Sequence, residues 1–412
     1  MQKYSKYQKT DLLWMGEVPS HWRKDKISRM IEFSASGGTP TSTNESYYDG
    51  EIKWVQTGEL NDCEIYDSEK KLTEEGFKAS STKVFPAETL LVAMYGATIG
   101  KLGILKTEAT TNQACCALFF NTKKWNTKYF FYYFLNIREK LIFSSYGGGQ
   151  PNISQEVIKQ ERLFVPPFTE QTAIAAYLDQ ATVNIDKVIA TKQKQLEKLE
   201  QYKQSKIHEC VTKGLNPDVT LKPSGIDWIG NVPSHWKVER LKRRMSFVYG
   251  SALKEEDRID GEFNVYGSNG IVGTHEFPIT EGETIIIGRK GTAGALNYSY
   301  VPCYPIDTAY FIDKTATEAN IRFVFYALQT LDLDKMNEDS AVPGLSRENA
   351  YQKQLAFPPR AEQKELAEYL DDFCDKISKE KSIINQQIEK LKQYRKCLIH
   401  ECVTGKRKVI TD

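Results

Sequence analysis

The sequence predicts an α+β chain in which two globular segments are each followed by a long helix, and the two helices form an antiparallel coiled coil. Two repeats predict this arrangement. The phrase "WMGEVPSHW" at 14–22 returns as "WIGNVPSHW" at 228–236, with seven of nine residues unchanged. Residues 166–212 also align without a gap with residues 358–404. Since a shared frame recurs around divergent material, the chain is predicted to be a tandem duplication with approximate two-fold symmetry.

The repeat divides the 412 residues into four segments. A single hydrophobic core stops growing at about 250–300 residues, so more than one domain is expected. The predicted segments are a globular domain at 1–165, a helix at 166–212, a second globular domain at 213–357 and a helical segment at 358–412. The two phrases are 214 residues apart and the two helical segments 192, so the first copy is 22 residues longer. The two globular domains are therefore expected not to be equivalent.

Short β-rich runs and helical periodicity predict that both globular segments are α+β. "TLLVAMYGATIGKLGIL" at 89–105 and "TIIIGRKGTAGALNYSY" at 284–300 are typical of strands joined by glycine turns. "KYFFYYFLNIREKLIF" at 128–143 and "NIRFVFYALQTL" at 320–331 have the apolar spacing of helices. Each segment thus contains the elements of a small mixed domain.

In the two repeated helical segments, apolar residues step by threes and fours, and no proline or glycine follows the opening proline pairs. Gly214 and Gly405 mark their ends. A helix of about 40 residues is about 60 Å long, and its narrow apolar seam predicts pairing with the other helix. The alternative is that each helix packs only on its own globular neighbour. The residues expected in the helix contact are Ile174, Leu178, Ile185, Leu196, Leu199, Leu366, Leu370, Ile377, Ile388 and Leu391.

The composition is that of an ordinary globular protein, with 40% hydrophobic and 26% charged residues. No apolar run approaches the roughly 18 residues of a membrane helix, and the polar N-terminus lacks a secretory signal, which predicts a cytoplasmic protein without a membrane partner. The eight cysteines show no C-x-x-C spacing, so we expect reduced thiols and no metal site. A net charge of +1 gives no overall attraction to an anionic partner.

Three apparent catalytic motifs fail on their chemistry. "GATIGKL" at 96–102 is one residue short of a phosphate-binding loop and has Leu102 where a hydroxyl is needed. "VPPF" at 165–168 resembles the tetrapeptide of amino-methyltransferases, but Val165 cannot accept a hydrogen bond from an amine. "IHEC", which contains His208 and recurs at 399–402, places its polar residues on different helix faces, so packing is favoured over metal binding. The sequence therefore predicts a protein that is not itself an enzyme.

The histidines of the repeated phrase, His21 and His235, have no paired nucleophile or carboxylate at matched positions in the phrase, and Glu17 becomes Asn231 in the second copy. Shared acid–base chemistry is therefore not expected there. The tryptophans of the phrase are predicted to anchor each globular domain to its helical frame.

Taken together, the "G-x-V-P-x-H-W" phrases, the "PP-x-x-EQ" helix starts and the "IHECVT" helix ends make the chain resemble the specificity subunit of type I restriction-modification enzymes. The resemblance covers essentially the whole chain. It implies that 1–165 and 213–357 are target recognition domains, each reading one half of a split, asymmetric site in double-stranded DNA. It further implies that the two helices set the distance between the domains.

The resemblance also implies the partners. Two modification subunits, which methylate adenine, would dock on the helices, and restriction subunits that translocate and cut DNA would join them. S-adenosylmethionine, ATP and magnesium are expected on these partners, so no cofactor is expected on this chain.

Polar, glycine-punctuated loops are the expected DNA contacts, because base edges are read by amide, hydroxyl, Arg and Lys side chains and phosphates by cations and backbone N–H groups. Lys101, Arg289 and Lys290 are the strongest candidates. The full set of predicted contacts is Thr39, Thr41, Gln56, Thr57, Tyr95, Thr98, Lys101, Asn112, Gln113, Gln150, Asn152, Tyr266, Ser268, Asn269, Arg289, Lys290, Thr292 and Arg347. Residues 1–29 and 237–244 each carry a local net charge of +4, which favours DNA or a solvated surface.

Three alternatives remain open on the sequence alone. The first alternative, related to the family named above, is the recognition subunit of a type II enzyme that cuts on both sides of a bipartite site. Such a subunit would differ from a type I subunit in its partner proteins. A second, from a different class, is a coiled-coil scaffold that binds only proteins, which salt-dependent DNA binding would distinguish. A standalone restriction or modification enzyme would need the catalytic motifs that fail above.

Overall fold

A computed structural model describes residues 2–144, 152–337 and 344–409. The chain forms two compact units, Met1–Thr191 with Gln387–Asp412, and Lys192–Gln386. Each long helix is divided between the units, whereas the sequence predicted separate helical segments. The difference arises because each half of a helix packs on a different globular part.

The first unit contains a short N-terminal hairpin followed by a mixed domain. Its strands are β1 (Tyr7–Lys9), β2 (Glu17–Pro19), β3 (Arg23–Lys26), β4 (Ile31–Ser36), β5 (Tyr48–Val55), β6 (Cys63–Ile65), β7 (Lys71–Leu72), β8 (Thr89–Ala93), β9 (Leu102–Leu105), β10 (Thr110–Thr111), β11 (Cys115–Phe120) and β12 (Arg162–Val165). Its helices before the long helix are α1 (Ile27–Met30), α2 (Glu74–Lys78), α3 (Thr127–Ser144) and α4 (Gln155–Gln160).

Two sheets form the core of the first unit. One has the order β4-β11-β8-β9-β6 and the other β10-β5-β7, in which β5 and β10 are parallel. The predicted strand, turn and strand over 89–105 is confirmed as the antiparallel pair β8–β9. The predicted helix α3 packs its aromatic face on this sheet, where the Phe120 and Phe130 rings stack at 4.3 Å. Strand β12 returns to pair with β3, directly before the long helix.

The second unit repeats this plan with fewer residues. Its strands are β13 (Leu221–Pro223), β14 (Asn231–Pro233), β15 (Lys237–Arg240), β16 (Val248–Tyr249), β17 (Phe263–Gly267), β18 (Gly270–His275), β19 (Thr284–Gly288), β20 (Leu296–Ser299), β21 (Tyr304–Pro305), β22 (Ala309–Ile312) and β23 (Gln354–Phe357). Its short helices are α6 (Ile321–Leu328) and α7 (Arg347–Gln352).

The strand orders confirm the duplication. Sheet β16-β22-β19-β20 corresponds to β4-β11-β8-β9, and the parallel pair β17–β21 corresponds to β5–β10. The first sheet has one further strand, β6, which is parallel to β9. The longer first copy thus extends a shared topology, and the predicted α+β fold with a tandem repeat is confirmed.

The long helices are α5 (Phe168–Lys213) and α8 (Arg360–Val403). Both begin directly after the proline pairs, as predicted. The prediction of a helical segment to residue 412 was too long, because α8 ends at Val403 and Gly405 takes a left-handed conformation with φ +71°. A left-handed residue stops the helical hydrogen-bond ladder.

Each unit holds an antiparallel pair of helix halves. In the first unit the start of α5 packs with the end of α8, where Arg395 and Asp186 form an ion pair at 3.6 Å. In the second unit the end of α5 packs with the start of α8, where Lys381 Nζ lies 2.7 Å from Glu200 Oε2. The predicted antiparallel pairing is therefore present, together with packing on the globular parts.

Most predicted seam residues are buried. Leu196, Leu199 and Leu391 are only half-buried, because a two-helix contact leaves the edge of the seam open to solvent. The buried members are Ile174, Leu178, Ile185, Leu366, Leu370, Ile377 and Ile388. No helix among the described residues combines the length and apolar character needed to cross a bilayer.

Candidate nucleic-acid interface

The repeated phrase forms a joint with the start of each long helix. In the first unit the Glu170 carboxylate accepts hydrogen bonds from Trp22 Nε1 at 3.2 Å, His21 Nε2 at 2.8 Å and the Tyr4 hydroxyl. Trp22 is only 2% exposed, so its indole N–H needs this partner. Burial, followed by the Glu170 contact, holds the pKa of Tyr4 well above its usual range, which keeps the hydroxyl protonated as a donor.

The second unit builds the same joint. Glu362 accepts from Trp236 Nε1 at 3.1 Å and from His235 Nε2 at 2.8 Å. The predicted anchoring role of the tryptophans is thus seen in both copies. The sequence reasoning missed the carboxylate partner, although the shared "EQ" at both helix starts carried the signal.

The glutamine after each of these glutamates fixes the aromatic helix of its unit. Gln171 Oε1 accepts from the Asn126 amide at 3.0 Å, directly before α3. Gln363 Oε1 accepts from the amide of Asn320, the N-cap of α6, at 2.8 Å. One Glu-Gln pair therefore joins the phrase, the aromatic helix and the long helix in each unit.

The repeated helix ends close the joint from the other side. A Cβ added to Gly405 would overlap Pro19, and one added to Gly214 would meet the Trp236 ring at 3.3 Å. Burial raises the pKa of Cys210 to about 11 and that of Cys402 to about 12, so both thiols remain protonated near neutral pH. His208 Nε2 contacts the Trp228 carbonyl at 3.0 Å. These residues therefore pack the joint.

The predicted loops of the first unit converge at one edge of its sheets. The Thr39 hydroxyl donates to Gln113 Oε1, and the Asn112 amide donates to the carbonyl of Val55, next to Gln56. A backbone bridge joins Tyr95 to Asn152. Four separate loops, together with the chain entering α4, thus form one polar surface.

Side chains on this surface differ in their solvent exposure. Thr39, Thr41, Gln113 and Asn152 are exposed, whereas Gln56, Thr57, Tyr95, Thr98, Lys101 and Asn112 are half-buried. Lys101 Nζ donates to Asn61 Oδ1 at 3.3 Å and forms no ion pair within the described part of the chain. Gln150 lies outside the described residues.

The predicted loops of the second unit also converge. The carbonyl of Ser268, in the β17–β18 turn, lies against Gly288, and a backbone bridge joins Lys290 to Gly344. Asn269, Lys290 and Thr292 are exposed. Tyr266 differs, because it is only 7% exposed and packs in a small apolar cluster with Ile286, Cys303 and Ala309. Its side chain supports the turn.

Two predicted arginines meet on a tyrosine that sequence reasoning missed. The Arg289 guanidinium carbon lies 4.8 Å from the centroid of the Tyr249 ring, and that of Arg347 lies 4.9 Å from it. Tyr249 ends the short strand β16, 40 residues before Arg289. No local sequence signal links the three positions. The pairing of β22 with both β16 and β19 and the hydrogen bond from the Leu345 amide to the Arg289 carbonyl bring them together.

The predicted basic patches are partly neutralised. Lys24 forms an ion pair with Asp11, and Arg244 contacts Glu239 at 3.4 Å while stacking on Phe357. Within the described residues, no group of three His, Cys, Asp or Glu side chains is placed to hold a metal ion. The polar loops therefore remain the main candidate interface.

Comparison with known families assigns this architecture to a class. The family model described as "Type I restriction modification DNA specificity domain" matches residues 19–201 and 233–390. These two stretches contain both copies of the mixed domain and cover most of the chain. The chain therefore belongs to the type I restriction-modification DNA specificity family.

Relatives along the chain agree. A protein of Methanocaldococcus jannaschii named "Putative type I restriction enzyme MjaX specificity subunit" is 25% identical over 442 aligned positions, covering 99% of this chain and 98% of the relative. The type I restriction enzyme MjaIX specificity subunit of the same organism is 30% identical over 203 residues, or 48% of this chain and 44% of the relative. The EcoR124I/EcoR124II specificity subunit of Escherichia coli is 25% identical over 211 residues, 48% of this chain and 51% of its own.

Solved structures share the fold. A chain from a structure concerning complex assembly and conformational transition of the type I R-M system superposes with a TM-score of 0.75 at 13% identity, covering 94% of this chain and 98% of that chain. The HsdS subunit from Thermoanaerobacter tengcongensis superposes with a TM-score of 0.54 at 14% identity, covering 95% and 98%. The tandem architecture is thus that of known specificity subunits.

Proposed function

We propose that the chain is the DNA sequence-specificity subunit of a type I restriction-modification complex, in which each unit reads one half of a split, asymmetric site. The observation that carries this proposal is the contrast within each unit. The joint of Trp, His and Glu is the same in both copies, whereas the converging loops differ in length and side chains. A constant joint with variable loops suits constant partners and two different half-sites.

The long helices are proposed as the docking site of two modification subunits and as the element that sets the spacer length. Apolar side chains remain exposed on both helices, among them Val183 at 47%, Val188 at 44% and Ile383 at 55%. Two similar helix pairs would present similar surfaces to two copies of one partner. Restriction subunits would complete the complex, with S-adenosylmethionine, ATP and magnesium bound by the partners and no catalytic step on this chain.

The proposal is tested by mapping N6-methyladenine across the host genome with the gene intact and deleted. Loss of one split, asymmetric motif on deletion is expected. An unchanged methylation map would contradict the proposal, provided that the gene is expressed with its partners.

Replacing residues 22–165 by the corresponding part of another specificity subunit separates the roles of the units. Only one half of the methylated motif is expected to change, because the second unit and the helices are retained. A change in both halves, or in neither, would show that the units do not read half-sites independently.

A further inference from the structure

One backbone position carries a methionine in the first unit and an arginine in the second. Met94 and Arg289 each follow the central strand of their sheet. In both, the backbone amide donates to a neighbouring carbonyl at 2.8 Å. The backbone carbonyl accepts from the amide of the residue before the N-cap of α4 or α7, at 2.8 and 2.9 Å. The two residues are therefore structurally equivalent.

Two further positions differ in the same way. Ser36 and Tyr249 are equivalent, because the strand registers pair them with Cys116 and Tyr310, which hold the same place in β11 and β22.

Gln155 and Arg347 are also equivalent, since each is the first residue of a short helix that follows a capping serine. Gln155 Nε2 donates to Ser36 Oγ at 2.5 Å, and Met94 is buried. The first unit thus has a small neutral contact where the second has two arginines.

The arginine cluster of the second unit, Tyr249 with Arg289 and Arg347, is held in place and open to solvent. Tyr249 is 45% exposed, and Arg289 Nη1 donates to the Asp307 carbonyl at 3.0 Å. Within the described residues Arg289 forms no ion pair with a carboxylate. Among the described carboxylates, the one that pairs with Arg347 is the exposed Glu348, at 3.5 Å. Two guanidinium groups are therefore held against the Tyr249 ring with little neighbouring negative charge. Their N–H groups can donate to an acceptor on a bound ligand.

DNA offers such a cluster two kinds of acceptor, the phosphate and the O6 and N7 atoms of guanine. A phosphate is present in every half-site, so a phosphate contact neither requires a difference between the two units nor excludes one. A contact that reads a base must differ where the half-sites differ. Since Met94, Ser36 and Gln155 carry no cation at the equivalent positions, the difference favours base reading.

Resting on the proposed function, we propose that the arginine cluster selects a guanine in the half-site of the second unit. Arg289 is the reading residue, and Tyr249 is a positioning residue that holds its guanidinium. The neighbouring Lys290 is exposed and has no such support among the described residues, which suits a phosphate contact.

The test compares the full chain, expressed with the host modification subunits, with its Arg289→Met variant, which carries the residue found in the first unit. The wild-type complex is expected to prefer guanine at one position of the second half-site by roughly 5- to 150-fold. Arg289→Met is expected to lose this preference and to keep the first half-site. Duplexes with 7-deazaguanine at that position, which lack the N7 acceptor, should weaken wild-type binding and leave the variant unaffected.

Matched variants separate the possible outcomes. Arg289→Lys keeps the charge and loses the planar fork, so it should weaken the guanine preference, and Tyr249→Ser should act in the same direction. Lys290→Ala is expected to weaken binding to all sequences alike. The proposal is overturned if Arg289→Met and Arg289→Lys leave the base preference intact. It is also overturned if Arg289→Met weakens binding to all duplexes equally and reduces the slope of the salt dependence by about one, which is the behaviour of a phosphate contact. A second half-site without guanine would overturn it as well. An unchanged methylation map on gene deletion would instead contradict the proposed function.

Discussion

Replacing Glu170 by alanine tests whether the hydrogen bonds between the repeated phrase and the start of the long helix stabilise the first unit. The substitution leaves the indole N–H of the buried Trp22 without an acceptor, which costs about 1–3 kcal/mol. Loss of the Tyr4 hydrogen bond adds about 1 kcal/mol, and the half-exposed His21 adds little. The expected local destabilisation is about 2–4 kcal/mol. Glu362→Ala should cost about 1–3 kcal/mol, because the described residues give Glu362 two side-chain donors rather than the three of Glu170.

Amide hydrogen exchange, read by mass spectrometry, measures this opening in each unit separately. In Glu170→Ala, peptides from residues 14–26 should exchange roughly 30- to 900-fold faster, while those from residues 228–240 should be unchanged. Glu362→Ala should show the reverse pattern. Glu197→Ala, an exposed glutamate on the same helix, serves as the control and should alter neither. Equal acceleration in both regions, or none in either, would refute the reasoning.

Three further predictions concern the helix ends and the spacer. Burial, followed by Lys406, lowers the pKa of His400 below its usual 6.5, so the neutral ring is favoured in the folded state. Stability from this site is then present above pH 6.5 and lost as the pH falls. In a plot of melting temperature against pH, His400→Gln should therefore reduce the loss of stability on the acid side. An unchanged plot would contradict this. Gly405→Val should lower the melting temperature, because a β-branched residue would have to adopt the left-handed φ of Gly405 and its Cβ would overlap Pro19. Ser144→Val, at an exposed position, is the control. An equal effect of both substitutions would show that the strain at Gly405 is not the cause. Inserting one helical turn between Lys192 and Lys203 should lengthen the spacer of the methylated motif or abolish methylation, and an unchanged motif would rule out the helices as the spacing element.

The frame could be predicted from sequence because its signals are local or repeated. Helical periodicity after the proline pairs gave both long helices, and the duplicated phrase gave the anchoring role of Trp22 and Trp236. The division of each helix between two units was missed, because it depends on which globular part covers each half. Half-buried Leu196 and Leu391 show the same limit, since periodicity identifies the apolar face of a helix and does not show how deeply that face is buried.

The loops were harder to predict because their contacts are long-range. Polar, glycine-rich composition identified loops that lie together, since Thr39 meets Gln113 across 74 residues of sequence, and their contact with DNA stays a prediction. Composition could not separate Tyr266, which is buried under its turn, from Tyr249, which is exposed beside two arginines. Both tyrosines are in short strands, and only the pairing of those strands decides which ring faces solvent.

Under the proposed function, the duplicated joint would allow the specificity to change without loss of assembly. Glu170 and Glu362 satisfy buried tryptophans of their own units, so replacing the loops leaves these hydrogen bonds intact. The equivalent positions occupied by Met94 and Arg289 share their backbone hydrogen bonds and differ only in the side chain they present. Under the proposed function, a base-reading residue could therefore be exchanged on a fixed backbone, while the proposed partner surface on the helices stays constant. Under this arrangement, Met94→Arg alone should not transfer a guanine preference to the first unit, because Ser36 supplies no ring to position the guanidinium.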